Sequence, residues 1–169
     1  NAGRYGIAFI PEDRRNEGIV APMSIRENIS LSATKLWTKL GIIQKKTEKQ
    51  GTKDIIKALD IICTGTDQTV GELSGGNQQK AIIAREIDRD PDLLIVSQPT
   101  RGLDVGAIEY IHKRLIQERD NGKAVLVVSF ELDEILNVSD RIAVIHDGKI
   151  QGIVTPETTN KQELGILMA

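Results

Sequence analysis

Cysteine, aromatic residues and long apolar runs are all scarce in this chain. The single cysteine, Cys63, excludes an internal disulfide framework and fits a reducing compartment. Aromatics make up 3% of the residues, too few for a platform that stacks single-stranded nucleic acid. No apolar run approaches membrane-spanning length and no signal-peptide pattern opens the chain, so membrane association is expected only through a partner. Acidic and basic residues are mixed and the net charge is −2, which gives no reason to expect nucleic acid as a partner. The phosphate-cradling pattern G-x-x-x-x-G-K-S/T is missing as well. Gly122-Lys123 and Gly148-Lys149 lack the first glycine and the hydroxyl residue, and both read as turns. His112 and His146 have no carboxylate or cysteine at metal-site spacing, so both read as structural or surface residues and no metal site is expected. The opening Asn1-Ala2, without an initiator methionine, reads as the start of an excised piece with a tag remnant.

What is present suffices for one domain: 169 residues, 40% of them hydrophobic, can bury one good core. Apolar runs read as strands at residues 5–10, 92–97, 124–129 and 141–145, the last a further buried strand turned by Asp147-Gly148 into a hairpin with residues 149–154. Between them lie helical patterns. Ser24 with Glu27 three residues on is a capping box, and Ile55, Ile56, Leu59 and Ile62 form an amphipathic pattern. The stretch from Trp37 through Leu40, Ile42 and Ile43 also reads as helix with its aliphatics in a core, followed by a Lys/Gln/Thr-rich connector. Val105, Ile108, Ile111 and Leu115 form a stripe that ends near Gly122, a C-cap candidate, and residues 161–167 close the chain as a last helix. Strands alternating with helices mean α/β, with a parallel sheet and right-handed crossovers.

One stretch organises the rest: Leu73-Ser74-Gly75-Gly76-Asn77-Gln78-Gln79-Lys80. An apolar helix carrying Ile82, Ile83 and Ile87 starts there, so a hydroxyl and two glycines stand at its positive end, among unpaired N–H groups. Without Cβ atoms, the glycines let an anion approach the main chain. Taken alone, Ser74 reads as an N-cap and Gly75-Gly76 as a turn. Downstream, the apolar run Leu93–Val96 enters Ser97-Gln98-Pro99-Thr100-Arg101-Gly102-Leu103-Asp104, a strand with a polar loop at its carboxyl end.

Together the two segments closely resemble an ABC-type ATPase: a signature motif, a Walker B strand and a loop ending in Leu-Asp. The Asn-Gln-Gln-Lys ending and the Pro-Thr-Arg-Gly-Leu-Asp-Val-Gly-Ala loop resemble the ATPases of bacterial sugar and nucleoside importers. The resemblance implies a P-loop NTPase-like (RecA-like) parallel sheet with an inserted helical subdomain, incomplete at the N-terminus because the phosphate loop precedes residue 1. It divides the chain into a helical subdomain with signature at about 22–90, core elements at about 91–154 and a terminal helix at 155–169.

The resemblance also implies roles. Two ABC domains pair head to tail, each ATP lying between the phosphate loop of one and the signature of the other. Ser74, Gly75, Gly76 and Gln78 are therefore expected to contact ATP held by a partner domain, and Asp104 to contribute to the dimer contact. Glu12 falls at the Q-loop position, where a glutamine usually touches the metal or the attacking water. Three positions depart from the catalytic pattern. Ser97 stands for the Walker B aspartate that holds Mg2+, and Gln98 for the glutamate that polarises water. Phe130 stands for the switch histidine. A hydroxyl and an amide can hydrogen-bond, yet neither is a carboxylate base.

An intact signature beside an altered catalytic set implies one half of an asymmetric pair. The expected partners are another ABC domain and transmembrane permease subunits, with ATP and Mg2+ as cofactors of the complete transporter. The expected location is the cytoplasmic side of the membrane, peripherally. Ser97–Glu109 and Phe130–Leu136 stand closer to the nucleoside-importing branch, where the carboxylate at position 98 is commonly absent. A soluble ABC ATPase of DNA repair or translation and a non-catalytic regulatory half stay open as alternatives.

Overall fold

The computed structural model describes residues 5–32 and 34–169, so Asn1-Ala2 lies outside the described residues. A parallel three-stranded sheet carries the chain's chemistry, in the order β1 (Ile7–Ile10), β4 (Leu93–Ser97), β5 (Ala124–Val128). Ile10 pairs with Val96, and Ser97 with Val128, so the three strands end level with one another. Their carboxyl ends deliver Glu12, Gln98 and Phe130 to one edge. Ligand crevices in α/β folds lie at this edge, because the loops there are free to vary.

Between β1 and β4 run the helices α1 (Ile25–Ser30), α2 (Thr34–Trp37), α3 (Lys45–Ala58) and α4 (Gly75–Ile87). α1 starts as the sequence predicts. Ser24 Oγ accepts the Glu27 N–H at 3.2 Å, and the Glu27 carboxylate accepts the Ser24 N–H at 2.9 Å. The Ser24 backbone and side-chain hydrogen bonds hold the Glu27 carboxyl below its ordinary value. Asn28, buried on the next turn, staples the preceding loop: its Oδ1 accepts the Val20 N–H at 2.8 Å, and its Nδ2 donates to the carbonyls of Val20 (3.1 Å) and Ser24 (3.0 Å).

α4 is covered nearly all round, with Ala81, Ile82, Ile83 and Ala84 each no more than 2% exposed. A one-sided stripe could not do this. α4 lies between α1 and β1, and its apolar residues join Ile25, Ile29 and Val70 to Ala8, Ile10, Leu94 and Val96 in one continuous core. Buried Lys80 has partners too. Lys80 Nζ donates to the Asp60 carbonyl at 2.6 Å and lies 4.2 Å from the Tyr110 ring centroid, a cation–π contact.

After Trp37 the structure departs from the periodicity. Thr38–Lys39 (β2) and Ile42–Ile43 (β3) form a two-stranded hairpin, with Leu40 and Gly41 at positive φ in its turn. Leu40 is 95% exposed and Ile42 68%, so these aliphatics are not core. The Leu-Gly turn explains the difference, since two left-handed residues end any helix. The polar connector is instead the first half of α3, and Ile62, beyond the end of α3, is exposed. Trp37 packs against α3 where Gly51 leaves room for its ring.

α5 (Val105–Asp120) joins β4 to β5, buries Ile111 and Leu115, and ends at Gly122 with φ 87°, as read from the sequence. α6 (Leu132–Val138) follows β5; then β6 (Ile142–His146) and β7 (Lys149–Val154) form the expected hairpin through Asp147-Gly148. α7 (Lys161–Leu167) caps this end on a second small core of Ile135, Ile142, Val144 and Leu164. Here the sequence reading of β6 as a further buried strand needs correction. Among the described residues β6 pairs only with β7, antiparallel, and Ile145 is 67% exposed. The outer edge of β5 is likewise unpaired among the described residues, with Leu126 and Val128 about half exposed. An apolar groove of about 610 Å³ runs between β5 and β6.

Candidate functional site

Ser74 is the N-cap of α4 and is exposed. Its Oγ accepts the Asn77 Nδ2–H at 2.9 Å and the Asn77 backbone N–H at 3.4 Å. Both bonds use the oxygen as acceptor, so the hydroxyl proton stays free to donate outward. Gly75 is half-buried beside it. A Cβ built there would meet first the guanidinium tip of Arg14 at 2.9 Å, then Leu103 Cδ2 at 3.5 Å. This geometry suits an incoming phosphate oxygen: a donor hydroxyl, N–H groups of a first helical turn and no Cβ at Gly75, with the Arg14 guanidinium alongside.

Gln78 faces the other way. It is 4% exposed, and its Nε2 is shared among the carbonyls of Leu73 (3.1 Å), Gly71 (3.3 Å) and Val70 (3.4 Å). The amide shapes the chain entering the signature and offers nothing to the surface. Arg14, by contrast, approaches the helix start from the turn after β1, and burial pushes its guanidinium below the ordinary value. The approach of Arg14 to Gly75 could not be read from local pattern.

At the edge of the sheet, Gln98 follows β4 with φ 48°, and its backbone N–H donates to the Val128 carbonyl at 2.8 Å. This bond sets the turn after β4 against the end of β5. Ser97 is half-buried, Gln98 is 8% exposed, and Phe130 is 73% exposed just past β5. Glu12, exposed after β1, forms an ion pair with Arg101 from the loop after β4. Ser97, Gln98, Phe130 and Glu12 therefore share the carboxyl edge of the sheet. Among the described residues no group of three His, Cys, Asp or Glu side chains is arranged to hold a metal. The donors at the end of β4 are a neutral hydroxyl and a neutral amide, while the Glu12 carboxylate is engaged by a guanidinium. That set lacks the free carboxylate by which a protein usually anchors a hard divalent cation.

Asp104 is the N-cap of α5, its Oδ1 accepting the Ala107 N–H at 2.9 Å. The same residue lies close to the signature: a Cβ on Gly76 would be 3.8 Å from Asp104 Oδ2 and 2.9 Å from Ala107 Cβ. Signature and post-β4 loop are thus one packed corner. His112 Nε2 lies 2.9 Å from Glu134 Oε1, joining α5 to α6, and His146 is near Asp147 in the hairpin turn.

Among solved structures, the chain matches an ATP-binding cassette described as a dimer in a post-hydrolysis state bound to ADP and Pi. The TM-score is 0.72 at 22% identity, covering 89% of this chain and 62% of that one. The Nucleoside import ATP-binding protein NupA of Lactococcus lactis subsp. cremoris is 63% identical over 164 residues. That match covers 96% of this chain and 32% of NupA. The chain is homologous to a segment of this import ATP-binding protein, and its fold is the ABC ATPase fold. The Guanosine import ATP-binding protein NupO of Bacillus subtilis is 54% identical over 166 residues, covering 97% of this chain and 32% of NupO. The Ribose import ATP-binding protein RbsA of Bacillus cereus is 42% identical over 164 residues, covering 97% of this chain and 33% of RbsA. The chain thus spans about a third of the length of the curated relatives it matches. No family model matches it. No helix among the described residues is long and apolar enough to cross a membrane.

Proposed function

We propose that this chain is the later part of one ABC domain in the energy-coupling subunit of a bacterial importer. Its task is to lend a signature helix to an ATP site whose phosphate loop lies on a partner ABC domain. The observation that carries this reading is the asymmetry within the chain. The helix start at Ser74-Gly75 is open and donor-rich, while the end of β4 carries Ser97 and Gln98 in place of carboxylates. The bare outer edge of β5 and the groove beside it support an incomplete sheet. Within the proposal, Ser74 and Gly75 meet the phosphate, Gln78 holds the entry loop, and Asp104 caps α5 at the edge of the dimer contact. Mg2+ and permease subunits belong to the complete transporter, at the cytoplasmic face of the membrane.

The isolated chain is expected to show no ATP hydrolysis above buffer background and only weak nucleotide affinity. It has neither the phosphate-loop lysine nor that loop's nest of backbone donors. Turnover that scales with purified protein and survives removal of contaminants would overturn this.

The cargo is a nucleoside, in our reading, rather than a free pentose or hexose. The higher identity to the nucleoside and guanosine import proteins, 63% and 54% against 42% for the ribose one, supports it. The test is uptake of labelled nucleosides and sugars by a strain lacking the parent gene. Nucleoside uptake should fall to background while ribose uptake persists. The reverse pattern would reassign the cargo.

A further inference from the structure

The two signature glycines are kept small for different reasons. At Gly75 the nearest obstacle to a Cβ, 2.9 Å away, is Arg14 Nη2, the far end of a flexible side chain that can swing aside. At Gly76 the obstacle, also at 2.9 Å, is Ala107 Cβ, which is fixed to the backbone of the first turn of α5. That turn is itself held by the Asp104 cap on the Ala107 N–H. Both Gly76 and Ala107 are buried, and the contact is interior packing where one added methyl group has nowhere to go.

We propose that Gly76 and Ala107 are a positioning pair that sets the spacing between the start of α4 and the start of α5. The space that a Gly76 Cβ would take lies in the interior against Ala107, not on the open side at Gly75. The pair fixes Ser74 against the Leu103–Asp104 corner, so that the donor presented to a partner's phosphate and the loop at the dimer contact move as one unit. A side chain at position 76 drives the two helix starts apart and mislays Ser74. The proposal rests on the reading that Ser74 completes an ATP site in trans.

A size swap tests it in the full-length protein. Steady-state ATPase kcat and KM, with thermal melts, are measured for Gly76→Ala, Ala107→Gly, the double variant, Gly75→Ala, and Gly75→Ala combined with Ala107→Gly. Gly76→Ala should lower kcat by about tenfold or more, the scale of about 1.4 kcal/mol. The double variant should recover most of that loss, because the methyl group removed from α5 is the one added to α4. Ala107→Gly should not rescue Gly75→Ala, whose fault lies on the open side. A folded double variant as slow as Gly76→Ala overturns the proposal, and so does a Gly76→Ala variant with the rate and melting point of the parent. Ser74→Arg run alongside separates the two failures. If it hydrolyses ATP normally the trans-site reading falls, while recovery of the melting point in the double variant still reports the spacing.

Discussion

Ser74→Arg should abolish ATP hydrolysis and transport in the full-length protein, whereas Gln98→Ala and Ser97→Ala should each leave most of the rate. Ser74 is the exposed cap of α4, with its hydroxyl proton unused by Asn77. A hydrogen bond from it to a phosphate in a water-poor interface is worth roughly 1.5–3 kcal/mol, or one to two decades in rate. Removing that bond alone, as in Ser74→Ala, should cost about that much. Arginine does more harm. It forfeits the cap and sets a second long cation beside Arg14, whose guanidinium already reaches Gly75.

Position 98 stands in contrast. What Gln98 visibly does is done by its backbone, in the turn at φ 48° and in the bond to Val128. Alanine keeps the backbone and removes no carboxylate base. ATPase rates of the single variants, with melts to confirm folding, decide the matter. If Gln98→Ala proves as damaging as Ser74→Arg, the altered site is catalytic and the proposed division of labour is wrong.

Most of the fold is legible in the sequence because its signals are local. The capping box at Ser24, the left-handed Gly122, the Asp147-Gly148 turn and the last helix all lie where short-range rules put them. The signature and the altered strand end are legible as resemblance, and the strand register brings Ser97, Gln98 and Phe130 to one edge. What the sequence hides is relational. An apolar run reads alike whether or not anything covers it, so β5 and β6 read as interior strands although Leu126, Val128 and Ile145 are exposed. Gln78 belongs to the signature pattern, yet its spacing does not say that the amide turns inward to Val70, Gly71 and Leu73. The contact of Gly76 with Ala107 joins the first turns of two different helices, with a whole strand between them in the chain, and no local pattern announces it.

Glu48 is hidden most completely, because it lies in a stretch that reads as a polar connector. In the structure it is 3% exposed, in the first turns of α3. Arg26 of α1 donates to its Oε2 at 2.7 Å, and Ser30 Oγ to its Oε1 at 2.7 Å. Arg26 reaches on to Asp67 at 3.2 Å, and Lys49 joins Asp67 from α3. A carboxylate this deep is tolerable only while its partners remain. Arg26→Met keeps the length of the side chain and removes the charge, leaving Glu48 facing one hydroxyl. The expected loss is roughly 3–5 kcal/mol of unfolding free energy, since an uncompensated buried charge costs more than the pair ever contributed. Replacing both, as Arg26→Met with Glu48→Leu, should recover most of the loss by removing the charge that was stranded. Denaturant melts of the two single variants and the double give the coupling directly. If Arg26→Met costs less than about 1 kcal/mol, the pair behaves like an ordinary surface salt bridge, and the α1–α3 junction is held by its apolar contacts alone.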